Sequence, residues 1–141
     1  MKYFKVSDFD NYEKMCPTLL RALDDFRELC GAPVYLSPAK GAQWRNDSTT
    51  SQHSALPQSR ACDVFPSCSP WYSFLSALQV PDIRGIGIYP HWVYPSKKLH
   101  YGMHLDVRET KDKVIWWRDK DNIYHTIHSI EMFREVINEL C

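Results

Sequence analysis

Met103-His104-Leu105-Asp106-Val107-Arg108 alternates apolar and polar side chains at every step. A period of two marks a strand with one face in a core and the other in a polar setting. It places Met103, Leu105 and Val107 on the buried face and gathers His104, Asp106 and Arg108 on the opposite one. Upstream, Arg84-Gly85-Ile86-Gly87-Ile88-Tyr89 alternates large and small residues and predicts another strand. Downstream, residues 114–117 and 123–125 flank Asp119-Lys120-Asp121-Asn122, whose composition suits a hairpin turn. The C-terminal half therefore reads as antiparallel sheet.

The first half has helical spacing. Leu19, Leu20, Leu23, Phe26 and Cys30 recur at three- and four-residue steps. With Pro17 suited to a first turn and Gly31 to a stop, they predict a helix from residue 17 to residue 29 or 30. Short strands are expected at residues 34–36 and 61–65. Ser69 caps a second helix, with Pro70 in its first turn and Trp71, Phe74, Leu75 and Leu78 on one face. Ser129 opens a terminal helix carrying Met132, Phe133, Val136, Ile137 and Leu140. Helices early and sheet later predict an α+β fold, a single domain over residues 1–141 with an antiparallel sheet flanked by helices. Residues 37–60 are polar and aperiodic, with Pro38, Gly41 and Pro57. A structureless stretch that long inside a domain is more often functional than decorative.

Lys+Arg and Asp+Glu both number 17, so the net charge is zero. That excludes a general polyanion binder, and no nucleic acid partner is expected. No apolar run approaches the ~20 residues that cross a bilayer, so no membrane insertion is expected. Met1-Lys2-Tyr3-Phe4-Lys5-Val6-Ser7-Asp8 turns acidic before a signal-like apolar core forms, which predicts synthesis in a cytoplasm without a signal peptide. The five cysteines (Cys16, Cys30, Cys62, Cys68, Cys141) lack C-x-x-C spacing and read as reduced, small hydrophobes. Cys62, beside Asp63, is the one whose neighbourhood admits a thiol nucleophile. Strand alternation turns it away from any cleft that Asp63 faces.

Among the histidines, His53 lies in the polar segment and His104 on the alternating strand, with Asp63 at the start of a strand between them. Two imidazoles and a carboxylate suit Zn(II) and leave a fourth position for water, the equipment of a hydrolase. The alternatives are satisfied hydrogen-bonding histidines and an Asp106–Arg108 pair on a solvated strand face. His91, His125 and His128 read as structural or surface residues. Trp116 and Trp117 are adjacent, so on a strand one faces the core and the other is free to flank a cleft.

Ser51-Gln52-His53 followed by Arg60-Ala61-Cys62-Asp63-Val64 resembles the Ser-x-His…Ala-x-Asp motif of the zinc D-Ala-D-Ala carboxypeptidase and L,D-endopeptidase family, peptidoglycan metallopeptidases that share the hedgehog/DD-peptidase fold. Gly85-Ile86-Gly87-Ile88-Tyr89-Pro90 and Met103 to Arg108 resemble that family's Gly-x-Gly-x-Tyr…His-x-Asp-x-Arg segment. Lys5-Val6-Ser7-Asp8-Phe9 is similar to its opening, and the order is kept from about residue 6 to residue 117.

The resemblance implies that His53, Asp63 and His104 hold a zinc ion. Lys40 falls where many members carry a substrate-binding Arg; Arg45 or Arg60 is the alternative source of the bidentate fork that Lys lacks. Nine residues, from Ser54 to Cys62, separate the first two ligands, more than is usual in the family. Where relatives place an acidic residue or His three positions before the last ligand, this chain has Tyr101. His100 and Asp106 are the remaining acid/base candidates. Asp106 is preferred, as a base or as the partner orienting His104; that it merely fixes Arg108 stands beside these readings.

The implied function is zinc-dependent hydrolysis of peptidoglycan stem peptides, of carboxypeptidase or endopeptidase type. A phage-type lysin acting on the cell wall after release, or a virion-associated hydrolase with other virion proteins as partners, would suit the size. The alternative is a catalytically impaired virion structural or cell-wall-binding protein of the same fold.

Overall fold

A computed structural model describes residues 1–47 and 50–140; Cys141, and Ser48 and Thr49 of the polar segment, lie outside the described residues. Helix α1 (Pro17–Cys30) starts where Cys16 Sγ accepts from the Leu19 N–H, and stops at Gly31, whose φ of 63° is the left-handed conformation glycine adopts cheaply. It buries Leu19, Leu20, Leu23, Phe26 and Cys30, the stripe its spacing predicts, together with Ala22. After β1 (Val34–Leu36) and β2 (Ala61–Pro66) comes α2 (Pro70–Gln79), capped by Ser69 Oγ on the Tyr72 N–H. Strands β3 (Gly85–Tyr89), β4 (Gly102–Asp106), β5 (Val114–Arg118) and β6 (Tyr124–Thr126) precede α3 (Ile130–Leu140).

The six strands form one sheet in the order β1-β2-β4-β3-β5-β6. The domain is α+β, with the helices on one face of a mixed sheet rather than a wholly antiparallel one. β1–β2, β2–β4, β4–β3 and β5–β6 are antiparallel, but β3–β5 is parallel. After β4 the chain reverses direction and crosses β3 to lie on its far side, so β5 runs with β3. Periodicity identifies each of these strands and is silent on which strand the next one passes over.

Alternation splits the sheet cleanly. Cys62, Val64, Ile86, Ile88, Met103, Leu105 and Trp117 join the α1 stripe, Phe74, Ala77 and Val136 in one buried cluster. At roughly 25 cal/mol per Å² of apolar surface, that shared core is what holds helices to sheet. The face of α2 differs from the expected one. Ser73, Phe74, Ser76 and Ala77 are buried, and Leu75 is 52% exposed. The serines tolerate burial because their hydroxyls donate to the Pro70 and Tyr72 carbonyls.

The described residues of the polar stretch are held in place, although the sequence there reads as structureless. Ala42, Gln43, His53, Ser54, Ala55 and Ser59 are buried, and backbone hydrogen bonds rather than a repeat hold them. Arg45 N–H donates to the His53 carbonyl (2.7 Å), Ala55 N–H to Arg45 (2.8 Å) and Arg60 N–H to Gln52 (2.8 Å). Ser59 Oγ donates to the Gln43 and Ala61 carbonyls. The four described cysteines, Cys16, Cys30, Cys62 and Cys68, are free thiols. Among the described residues, no helix is long and apolar enough to cross a membrane.

Candidate metal centre

The face of the sheet opposite the helices is polar and open. Antiparallel register sets Asp63 of β2 directly beside His104 of β4, and Gly87 of β3 on the other side of His104. Paired residues point to the same face, so the carboxylate and the imidazole are neighbours by construction. His53 reaches them from the polar segment, whose strapping to Arg45 and Arg60 takes up the extra residues between His53 and Asp63.

Three donor atoms meet there. His53 Nε2 lies 3.1 Å from His104 Nδ1 and 3.3 Å from Asp63 Oδ1, and His104 Nδ1 lies 3.1 Å from Asp63 Oδ1. Ligands held about 2.0–2.1 Å from a tetrahedral zinc are separated by about 3.3 Å, so the triangle has the right edge for one face of that tetrahedron. All three residues are buried. His104 Nε2 faces Asp106 Oδ2 at 2.8 Å, so Asp106 can hold a proton on Nε2 while Nδ1, which meets Asp63 in the metal-free protein, would lose its proton to ligate an ion. Donor chemistry and spacing fit a zinc ion.

The charges are consistent with this wiring. Burial alone would push the Asp63 carboxyl up, but hydrogen bonds from His104 and His53 outweigh it and hold the carboxyl below its ordinary value. Burial works against a charged His104 ring, yet hydrogen bonds to Asp106 and Asp63 leave it more basic than an ordinary imidazole. Asp106, itself fully buried, accepts from Arg108 Nη2 (2.6 Å), Nε (2.8 Å) and the backbone N–H (3.1 Å).

A cleft of about 590 Å³ opens over the triangle. Its walls include Arg45, Tyr89, Trp92, Trp116 and Arg118. Trp116 takes the cleft side and Trp117 the core side, as adjacent strand positions must. Trp116 Nε1 donates to Tyr89 Oη (3.1 Å), and the Arg108 guanidinium sits 5.2 Å from a Trp116 ring centroid.

The remaining predicted positions separate. Of the three proposed substrate-binding cations, Arg45 lines the cleft. Lys40 is exposed on a turn outside it. Arg60 is committed elsewhere, donating to Glu109 (3.0 Å) and the Val107 carbonyl (2.8 Å). His100 is exposed and does not line the cleft. Tyr101 projects to the helix side, its hydroxyl against Ser73. Asp106 has the orienting position, with Arg108 and His104 occupying its oxygens. Cys62 is fully buried on the core face, and burial raises its thiol well above the ordinary range, which disfavours a nucleophile. Trp92, Arg118 and Tyr124 carry no site signal in the sequence, and Tyr89 stands there only as part of a motif, with no site role attached to it. The period-two pattern marks Tyr89 and Arg118 as facing one side, but only register shows that it is the side of His104.

No protein-family model, curated protein or solved structure matches this chain.

Proposed function

We propose that this chain is a zinc-dependent peptidase of the hedgehog/DD-peptidase-like fold that hydrolyses peptidoglycan stem peptides. The observation that carries the reading is the triangle of His53 Nε2, Asp63 Oδ1 and His104 Nδ1, with edges of 3.1–3.3 Å, at the floor of an open cleft. The collinear motif order supports the substrate class. His53, Asp63 and His104 would hold the ion. When bound, zinc lowers the pKa of water and polarises a carbonyl at neutral pH.

The protein's own residues supply the rest. Asp106 fixes the His104 tautomer, and Arg108 fixes Asp106. Trp116 and Tyr89, joined by a hydrogen bond, form an aromatic wall on one side of the cleft against which a peptide would lie. Two measurements test the proposal. Metal analysis of purified protein should find close to one zinc per chain, and muropeptide digestion should release D-Ala or split a stem peptide. His104→Ala should lose both metal and activity while its helical circular dichroism persists. A His104→Ala protein that digests cell wall normally would falsify the assignment.

One observation favours the non-catalytic alternative, a virion structural or cell-wall-binding protein. Among the described residues, Asp63 is the sole carboxylate lining the cleft, and it belongs to the donor triangle. Stoichiometric zinc without turnover of any muropeptide would decide for that reading.

A further inference from the structure

Arg118, at the end of β5, sits half-buried over three aromatic rings. Its guanidinium carbon lies 5.3 Å from the Tyr89 centroid, 5.8 Å from Trp92 and 5.9 Å from Tyr124. Tyr89 and Trp92 are themselves stacked, 3.8 Å between centroids at 13°, which makes a rigid shelf. Among the described residues no carboxylate forms an ion pair with Arg118, although every other arginine lining the cleft has a polar protein partner. Arg108 is neutralised by Asp106, and Arg45 Nε donates to the Gly41 carbonyl. A guanidinium that meets rings rather than a protein carboxylate keeps N–H donors available for an anion.

The cleft that Arg118 shares with His53, Asp63 and His104 has a volume of about 590 Å³. As a sphere that is about 10 Å across, the reach of roughly three extended residues. Among the described residues Asp63 is its one negative lining group, beside the cations Arg45, Arg108 and Arg118, so that lining carries an excess of positive charge even before a cation joins the triangle.

We propose that Arg118, framed by Tyr89, Trp92 and Tyr124, is the anchor for a free carboxylate on the ligand. The anionic character of the ligand follows from the cleft alone. Its identity as a peptide end rests on the peptidase reading, which this anchor narrows to chains cut near a free C-terminus.

The test uses chelator-treated full-length protein, so that no metal competes for the anion. Calorimetric titration compares N-acetyl-D-alanyl-D-alanine with its C-terminal amide. The acid should bind about tenfold more tightly than the amide, the scale of a charge-assisted hydrogen bond in a partly desolvated site. Arg118→Met should bring the ratio close to one, and Arg118→Lys should retain part of it. If the Met variant does not fold, Arg118→Gln repeats the comparison. Equal affinity of acid and amide in the parent protein, or no binding of the acid into the millimolar range, overturns the anchor. So does a preference that survives in Arg118→Met and disappears in Arg45→Met. An Arg118-dependent preference in a protein that neither binds zinc nor cuts muropeptides leaves the anchor standing and removes the peptidase reading. Zinc-dependent cutting with no preference for the acid does the reverse.

Discussion

Asp106 shows how one buried side chain governs a site it does not enter. Burial alone would raise its carboxyl, but hydrogen bonds from Arg108 and then His104 hold it far below the ordinary range, so it stays an acceptor. It therefore acts on His104, and Asp106→Asn should lower zinc affinity about 10–100-fold in competition with a chromophoric chelator. Unchanged affinity would mean that His104 needs no orienting partner. The two glycines of Gly85-Ile86-Gly87 serve the same neighbourhood. A Cβ on Gly85 would collide with the Asp106 carboxylate, and one on Gly87 would come within 2.8 Å of Trp116. The alternation of small and large residues in β3 is thus clearance on the site face and packing on the other. Gly85→Ala should cost about 1–3 kcal/mol in denaturant unfolding, the scale of overpacking, and weaken zinc binding as Asp106 shifts. A wild-type unfolding midpoint would refute that account.

At the level of elements, two α1 carboxylates tie down the N-terminal segment: Glu28 pairs with the exposed Lys2 ammonium (2.8 Å), and Asp24 takes its backbone. Asp24 accepts from the backbone N–H groups of Lys2 (2.6 Å), Tyr3 (2.8 Å) and Phe4 (3.4 Å). Partial burial pushes its carboxyl up, but those three donors win and its pKa is lowered. A folded-state value below the unfolded one stabilises the fold above the ordinary carboxylate range, and that stability is lost as pH falls through the lowered value. Asp24→Asn should therefore be less stable than the parent at pH 7, by no more than about 1 kcal/mol because solvent screens the site. The gap should begin to narrow below about pH 4, where the unfolded carboxyl takes up a proton, and close only as pH falls through the lower folded value. A gap independent of pH would show that the charge plays no part. The described residues of 37–47 and 50–60 make the complementary case: backbone hydrogen bonds between distant positions hold them, and such bonds leave no periodic trace in sequence.

Across the whole molecule, the sheet is a partition with apolar packing behind it and a charged, aromatic-walled cleft in front. Because His53, Asp63 and His104 come from three separate stretches of chain, a cation would bind the folded protein and not the unfolded one. Zinc at a hundred times its dissociation constant should then add about 2.7 kcal/mol of stability. A thermal scan should show a rise in midpoint that chelator reverses and that His104→Ala lacks; no shift would argue against a native-state ion. The elements and the polarity of each strand face were legible from residues 103–108, 85–89 and 17–30, because helix and strand periods are set by neighbours a few positions apart. The short motifs in order also named His53, Asp63 and His104, whose side chains the fold brings together. What the sequence could not disclose was who stands beside whom: the parallel β3–β5 pair, the strap that delivers His53, and the convergence of Arg118, Tyr89 and Trp92. Those depend on strand order and register, which are contacts between distant segments and exist only once the chain has closed on its core.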